Sequence, residues 1–238
     1  MSRLFEELDY RETPIGPVSL RRRRVMALDV DVFEIILGDE HLMSSLFTAS
    51  EIALADLGLA AIEGDHLDVL VGGLGLGYTA RAVLQNDRVA SLTVIEHLDA
   101  VIDWHRSGLL PLGPTLTGDD RCRLVSGDFF RLTASADGYD AGQPGRRFNA
   151  ILVDIDHAPD FFLNPANASF YTSEGLSALS RRLQPGGVFG LWSNDPPDPA
   201  FTAALAEVFR TAVAKPVTFA NPLQQNAEVT QTVYLATV

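Results

Sequence analysis

A glycine cluster and three acidic residues carry the chemistry legible in this sequence. Gly72-Gly73-Leu74-Gly75-Leu76-Gly77 follows an apolar run at 67–71 and precedes a helical stretch at 78–84. Glycines at Gly73, Gly75 and Gly77 permit a tight turn and a close approach of ligand to backbone at a helix N-terminus. Glu96 ends the next apolar run, at the distance where a carboxylate accepts hydrogen bonds from ribose hydroxyls. Asp128 follows a third run in Ser126-Gly127-Asp128-Phe129, where an acid can accept from an exocyclic adenine amine. Phe129 or Phe130 offers apolar contact to the ring. The three positions together predict an adenosine-containing ligand. The loop lacks the Lys-Ser/Thr ending of a phosphate cradle, which argues against ATP hydrolysis.

Asp154 closes a fourth, strongly apolar run at 150–153, and Asp156, His157 and Asp160 follow within the next six residues. Alkyl transfer to an amine is an in-line displacement that needs an aligned, unprotonated nucleophile. A carboxylate opposite the glycine loop can orient that amine, accept its proton and favour positive charge. Asp154, Asp156 and His157 are therefore the candidate catalytic residues. Three such groups on one loop, without a partner cluster elsewhere, predict hydrogen bonding rather than a metal site, and a lone Cys122 removes any cysteine-based zinc site. By position alone, Trp192-Ser193-Asn194-Asp195 and Gln224-Gln225-Asn226 are candidates for the acceptor side. His97 and His105, eight apart, read as surface residues of one helix.

Positioning these residues takes strands at 67–71, 91–95, 123–125, 150–153 and 188–192. Between and after them the sequence predicts helices at 78–84, about 99–107, about 172–183 and 199–213. Segments 217–219 and 232–236 read as a closing hairpin pair. Strand–helix alternation predicts an α/β, Rossmann-like domain over residues 63–238, its mostly parallel sheet covered by helices on both faces. Residues 1–62 read as a small β-rich region with a connecting helix. Its hairpin is centred on Thr13-Pro14-Ile15-Gly16-Pro17, a strand follows at 32–37, and helical spacing runs from Met43 to about Ile62. Arg21 to Arg24, the basic run, predicts a solvated or ion-pairing strand.

The Gly73, Gly75, Gly77 spacing with Glu96 resembles the class I S-adenosylmethionine-dependent methyltransferases. Within that superfamily the chain resembles the spermidine synthases, or polyamine aminopropyltransferases. The stretches that carry the likeness are Leu70-Val71-Gly72-Gly73 through Arg81, Val94-Ile95-Glu96, Gly127-Asp128, Ile151-Leu152-Val153-Asp154, Phe170-Tyr171-Thr172 and Leu183-Gln184-Pro185-Gly186-Gly187-Val188. The resemblance implies a class I methyltransferase fold: a seven-stranded sheet with its last strand inserted antiparallel, preceded by a small β region. It also implies S-adenosylmethionine or its decarboxylated form as co-substrate, no metal, a small-molecule amine or polyamine acceptor, and a homodimer. The implied reaction moves an aminopropyl or related alkyl group from the sulfonium donor to the amine. Leu76 stands where those enzymes carry an aspartate for the donor's amine end, and His157 stands at the second aspartate of their Asp-Ser-Ser-Asp-Pro segment. These departures keep two alternatives open. One is an S-adenosylmethionine-dependent small-molecule methyltransferase, whose carboxylate-bearing donor tail tolerates Leu76 better. The other is a non-catalytic adenosine-binding protein.

Charge narrows the partners. Eighteen Lys+Arg against 31 Asp+Glu leave the 238 residues at −13, which repels nucleic acid and anionic membranes and attracts small cations. No apolar run reaches the roughly 18 residues of a membrane span. The start, MSRLFEELDY, carries no apolar signal core, and a single cysteine suits a reducing cytoplasm.

Overall fold

A computed structural model describes residues 4–238, so the first three residues of the stretch read for targeting lie outside it. Turn residues set up the first sheet. Strands β1 (Phe5–Arg11), β2 (Val18–Val25), β3 (Val30–Leu37) and β4 (Glu40–Ser44) pair antiparallel in chain order. Thr13 and Gly16 exchange backbone hydrogen bonds to close the predicted hairpin. Val18, Leu20, Ile35 and Leu37 turn inward and join the main core. The Arg21–Arg24 run is consumed by ion pairs along the sheet: Arg22 with Glu6 (2.7 Å), Arg23 with Glu34 (2.7 Å), and Arg24 with Asp29 and Asp31.

Helix α1 (Ala49–Ala60) starts later than the spacing from Met43 suggested. Met43 and Ser44 are captured by β4, paired to Ile35 and Glu34 of β3. A five-residue edge strand opening on Glu40-His41 has too little alternation to announce itself.

The second unit runs β5 (Leu67–Gly72), α2 (Tyr78–Leu84), β6 (Val89–Glu96), α3 (Asp99–Arg106), α4 (Gly113–Thr117), β7 (Cys122–Ser126), α5 (Phe129–Ala134) and β8 (Phe148–Val153). It continues through α6 (Ser173–Ser180), β9 (Leu183–Ser193), α7 (Pro199–Val208), β10 (Thr211–Asn221) and β11 (Ala227–Thr237). The sheet order is β10-β11-β9-β8-β5-β6-β7. Strands β5, β6, β7, β8 and β9 run parallel to one another, and β11 lies antiparallel between β9 and β10. This is the seven-stranded arrangement with an inserted antiparallel strand. Val69, Leu70 and Val71 of β5 and Ile151, Leu152 and Val153 of β8 are fully buried. Helices α1 to α4 cover one face, and α5 to α7 with a cluster of Phe129, Phe170, Phe189 and Phe201 cover the other.

Several boundaries differ from the sequence reading. Thr172 is the N-cap of α6, and Leu183 already pairs with Phe148, so the helix is shorter and β9 starts earlier than residue 188. Helix α7 stops at Val208 because β10 pairs with β11 over eleven residues from Thr211, and that ladder overrides the helical spacing that ran to 213. The short helices α4 and α5 were not foreseen. Among the described residues, no helix is long and apolar enough to cross a membrane.

The chain reverses its order across the sheet between β5 and β8. In open α/β sheets that switch point opens a crevice at the strands' carboxyl ends. The N-terminal sheet and α1 lie over it.

Candidate active site

A cavity of about 350 Å³ occupies this crevice. Its floor is formed by the ends of β5, β6, β7 and β8, and its roof by Ile35, Leu37 and Met43 of the first sheet.

The loop after β5 is shaped by close contacts. Gly73 has φ +92°, and a Cβ there would lie 2.0 Å from the carbonyl oxygen of Asp154, so only glycine lets the two loops touch. A Cβ on Gly75 would meet Met43 Sδ at 2.4 Å. Gly73 and Gly75 line the cavity, whereas Gly77 sits outside it, against Leu116 and His105 at the start of α2. The Leu76 N–H donates to Met43 Sδ at 2.9 Å, and its side chain is buried in the core rather than in the cavity wall.

Glu96 lines the cavity, and its carboxylate accepts from Leu74 N (2.9 Å) and Leu98 N (2.8 Å). Burial raises its pKa, while these N–H groups oppose the rise. The side chain thereby ties the β5 loop to the start of α3. Asp128 also lines the cavity and caps α5 by accepting from Arg131 N at 3.1 Å. Phe129 and Phe130 both reach the wall; Phe129 stacks on Tyr139 at 5.2 Å and packs edge-on to Phe170 at 5.8 Å.

The loop after β8 divides the three candidates predicted on it. Asp154 faces the cavity and accepts from Thr79 Oγ1 at 2.8 Å. Burial raises its pKa against that hydrogen bond. His157 also faces the cavity, with Nε2 2.7 Å from Glu40 Oε1 and its ring stacked on Phe161 at 5.0 Å. Asp156 points the other way. Its carboxylate is 1% exposed and accepts from Leu163 N (2.8 Å), Asn167 Nδ2 (2.9 Å) and Tyr171 Oη (2.9 Å). This geometry makes Asp156 an anchor of the loop, with no face toward the cavity.

Three features escaped the sequence reading. Glu51, in the first turn of α1, is buried and shares the cavity wall with Asp154. Burial first, and the nearby Asp154 charge second, raise its pKa. His105 is fully buried instead of lying on the surface; its Nε2 donates to Gly75 O at 2.9 Å, and burial lowers its pKa, which suits a neutral ring holding the glycine loop. His97, by contrast, is exposed at the cavity mouth. On the remaining wall Trp192 and Asn194 are present as foreseen, but Gln231 of β11 stands there and Gln224-Gln225-Asn226 do not. Those three sit instead in the turn between β10 and β11. The signal for Glu51 was in the sequence: Ser50-Glu51 is a polar couple on a helix otherwise rich in Ala and Leu.

The cavity thus has two parts. One is a groove of Glu96, Asp128, Phe130 and the glycine loop. The other is an acidic corner of Asp154 and Glu51, bordered by Trp192, Asn194 and His157.

No family model matches the chain. A stretch of 130 residues, 53% of the chain, is 32% identical to polyamine aminopropyltransferase 2 of Streptomyces coelicolor (strain ATCC BAA-471 / A3(2) / M145), and it spans 21% of that protein's length. A spermidine synthase solved in complex with the transition state analogue AdoDATO superposes on 97% of this chain and 73% of its own, with a TM-score of 0.72 at 18% identity. Spermidine synthase from Thermotoga maritima gives the same score and identity, over 97% and 72% of the two chains. The chain has the spermidine synthase fold, and half of it is similar in sequence to a polyamine aminopropyltransferase.

Proposed function

We propose that this chain is a transferase that moves an aminopropyl or related alkyl group from an S-adenosylmethionine-type sulfonium nucleoside to a small amine or polyamine. The observation that carries the reading is the acidic corner of Asp154 and Glu51 directly beside the glycine loop, in one cavity with Glu96 and Asp128. When bound, the sulfonium supplies an electrophilic carbon with a neutral thioether as its leaving group. The chain's own residues supply the rest. Glu96, held in place by two backbone N–H groups, presents its remaining lone pairs to ribose hydroxyls. Asp128 accepts from an exocyclic amine, and Phe129 and Phe130 border the ring. Asp154, fixed by Thr79, orients the acceptor nitrogen and favours the positive charge that grows on it. His157, tied to Glu40, borders the acceptor's path.

One observation favours methyl transfer from intact S-adenosylmethionine: Leu76, at the sequence position where spermidine synthases carry an aspartate, turns into the core, so the glycine loop offers no carboxylate to the amine end of a decarboxylated donor. Thermal shifts separate the two readings. A ligand at about 100 times its Kd stabilises by about 2.7 kcal/mol. Larger shifts with decarboxylated S-adenosylmethionine and methylthioadenosine support aminopropyl transfer. Larger shifts with S-adenosylmethionine and S-adenosylhomocysteine support methylation. No shift with any of the four removes the nucleoside site, and binding without turnover of any amine leaves a non-catalytic binding protein.

A further inference from the structure

Counting hydrogens around Glu51 constrains its protonation. Ser50 Oγ owns one hydrogen, yet it stands 2.8 Å from Glu51 Oε2 and 2.5 Å from Gln231 Oε1. Trp192 Nε1, a donor only, points at the same oxygen from 2.8 Å. Gln231 Nε2 is committed as donor to Asn194 Oδ1 at 2.8 Å, which turns Oε1 toward Ser50. With the Gln231 and Asn194 amides oriented this way, one hydroxyl hydrogen faces two acceptors. A hydrogen on Glu51 completes the set: Glu51 Oε2–H donates to Ser50 Oγ, and Ser50 donates to Gln231. Asp154 has the opposite environment, receiving a hydrogen bond from Thr79 Oγ1 as an ionised carboxylate does. Two carboxylates in one buried site also cannot both ionise cheaply.

We propose that Glu51 and Asp154 work as a pair holding one proton, with Asp154 the anion that faces the acceptor amine and Glu51 the resting place of the proton. This rests on the transfer reading above and adds to it the group that receives the amine's proton. Tyr78 of α2 interacts with Glu51; burial raises its phenol, the Ser45 hydrogen bond and Arg81 act against the rise, and Glu51 adds to it, while Glu96, Asp128 and His97 line the same cavity further off. His41 of β4 and His157 lie in the same cavity wall.

The proton balance follows from the pair. An alkylamine arrives as an ammonium, so the pair and ligand together bring two protons, and one leaves to solvent on binding. The one that remains moves between the amine nitrogen and Glu51. When the N–H bond breaks and Glu51 O–H forms, the nitrogen lone pair is free. The C–N bond then forms as the C–S bond breaks, the C–S electron pair stays on sulfur, and the product leaves as a secondary ammonium beside Asp154.

Calorimetric titration of putrescine into methylthioadenosine-loaded protein, in buffers of differing ionisation enthalpy at about pH 6, below the value to which Glu51 is raised, reads this release directly. The expected result is about one proton released per amine bound, and about none for Glu51→Gln. No release from the unsubstituted protein, or equal release from E51Q, overturns the shared proton while leaving the transfer reading intact. Nucleoside binding with no amine binding overturns the transfer reading, and the pair's role falls with it. Should E51Q not fold, infrared difference spectra of the unsubstituted protein provide the second measurement. A protonated carboxylic acid band present at about pH 6 and lost at alkaline pH is expected, and its absence at about pH 6 overturns the proposal.

Discussion

Glutamine at position 51 should make the protein more stable at alkaline pH, although it removes a charged residue from an acidic cavity. Glu51 is 7% exposed, and its pKa is raised from 4.5 to about 7, by burial first and by Asp154 second. Between those values the folded chain keeps a proton that the unfolded chain has lost. Stability therefore falls as pH rises through this window, and the loss is complete above the folded value. At about 1.4 kcal/mol per pH unit, the penalty at pH 8 is about 3 kcal/mol. A glutamine copies the shape of the protonated acid and can donate to Ser50 Oγ as that acid does, so the variant avoids the penalty. Below the window the two proteins should match. Urea unfolding across the range from mildly acidic to mildly alkaline pH measures this, and thermal unfolding should place the variant roughly 6–12 °C higher at the alkaline end. A variant with the same pH slope as the parent, or one less stable than it at alkaline pH, would refute the protonated Glu51.

Other outcomes follow from the same geometry. Asp154→Asn should lower turnover by about 100- to 10,000-fold with nucleoside affinity nearly unchanged, measured by steady-state kinetics beside methylthioadenosine titration; unaltered turnover removes Asp154 from the chemistry. Asp156→Ala leaves Asn167, Tyr171 and Leu163 N–H without their acceptor, and should cost about 2–4 kcal/mol in denaturant unfolding. A cost within the noise would show that this loop holds itself. Gly73→Ala drives a methyl group into the Asp154 carbonyl from a left-handed backbone, and should cost about 3 kcal/mol or more together with nucleoside binding.

The parallel sheet was legible because the buried central strands 67–72 and 148–153 read as apolar runs interrupted only near their starts, by Asp68 and Asn149, and because acidic residues stand at or just beyond the ends of β6, β7 and β8. Glu96, Asp128 and Asp154 could be found by that rule alone. Glu51 stood out only as a polar couple with Ser50 on an Ala- and Leu-rich helix; that it joins the site depends on α1 crossing the mouth of the sheet, a tertiary contact the helix's own sequence does not encode. Gln231 was hidden for a similar reason, because in a strand that alternates faces only the register against β9 decides which side chains reach the cavity. Asp156 failed in the other direction. Spacing of two from Asp154 suggests a shared face in an extended chain, but the Ala158–Phe161 bridge and the Pro165–Tyr171 turn fold the segment back and supply inward donors.

The N-terminal sheet and α1 matter to the site because two contacts from the sheet and one from the helix complete parts of it that lie in the Rossmann-like unit. Glu40 of β4 fixes His157 at the tip of the Asp154 loop. Met43, also of β4, fills the space above Gly75 and receives the Leu76 N–H, so the glycine loop takes its shape partly from a residue outside its own unit. Glu51, just beyond on α1, completes the carboxylate pair with Asp154. The division read near residue 62 therefore passes through the site. Residues 63–238 alone would keep Glu96 and Asp128 at their strand ends, where local backbone donors hold them. They would lose the contacts to the glycine loop and to the Asp154 loop, and the group proposed to take the proton. On the proposed reading, such a fragment would keep the groups that hold a nucleoside and lack the one that takes the amine's proton.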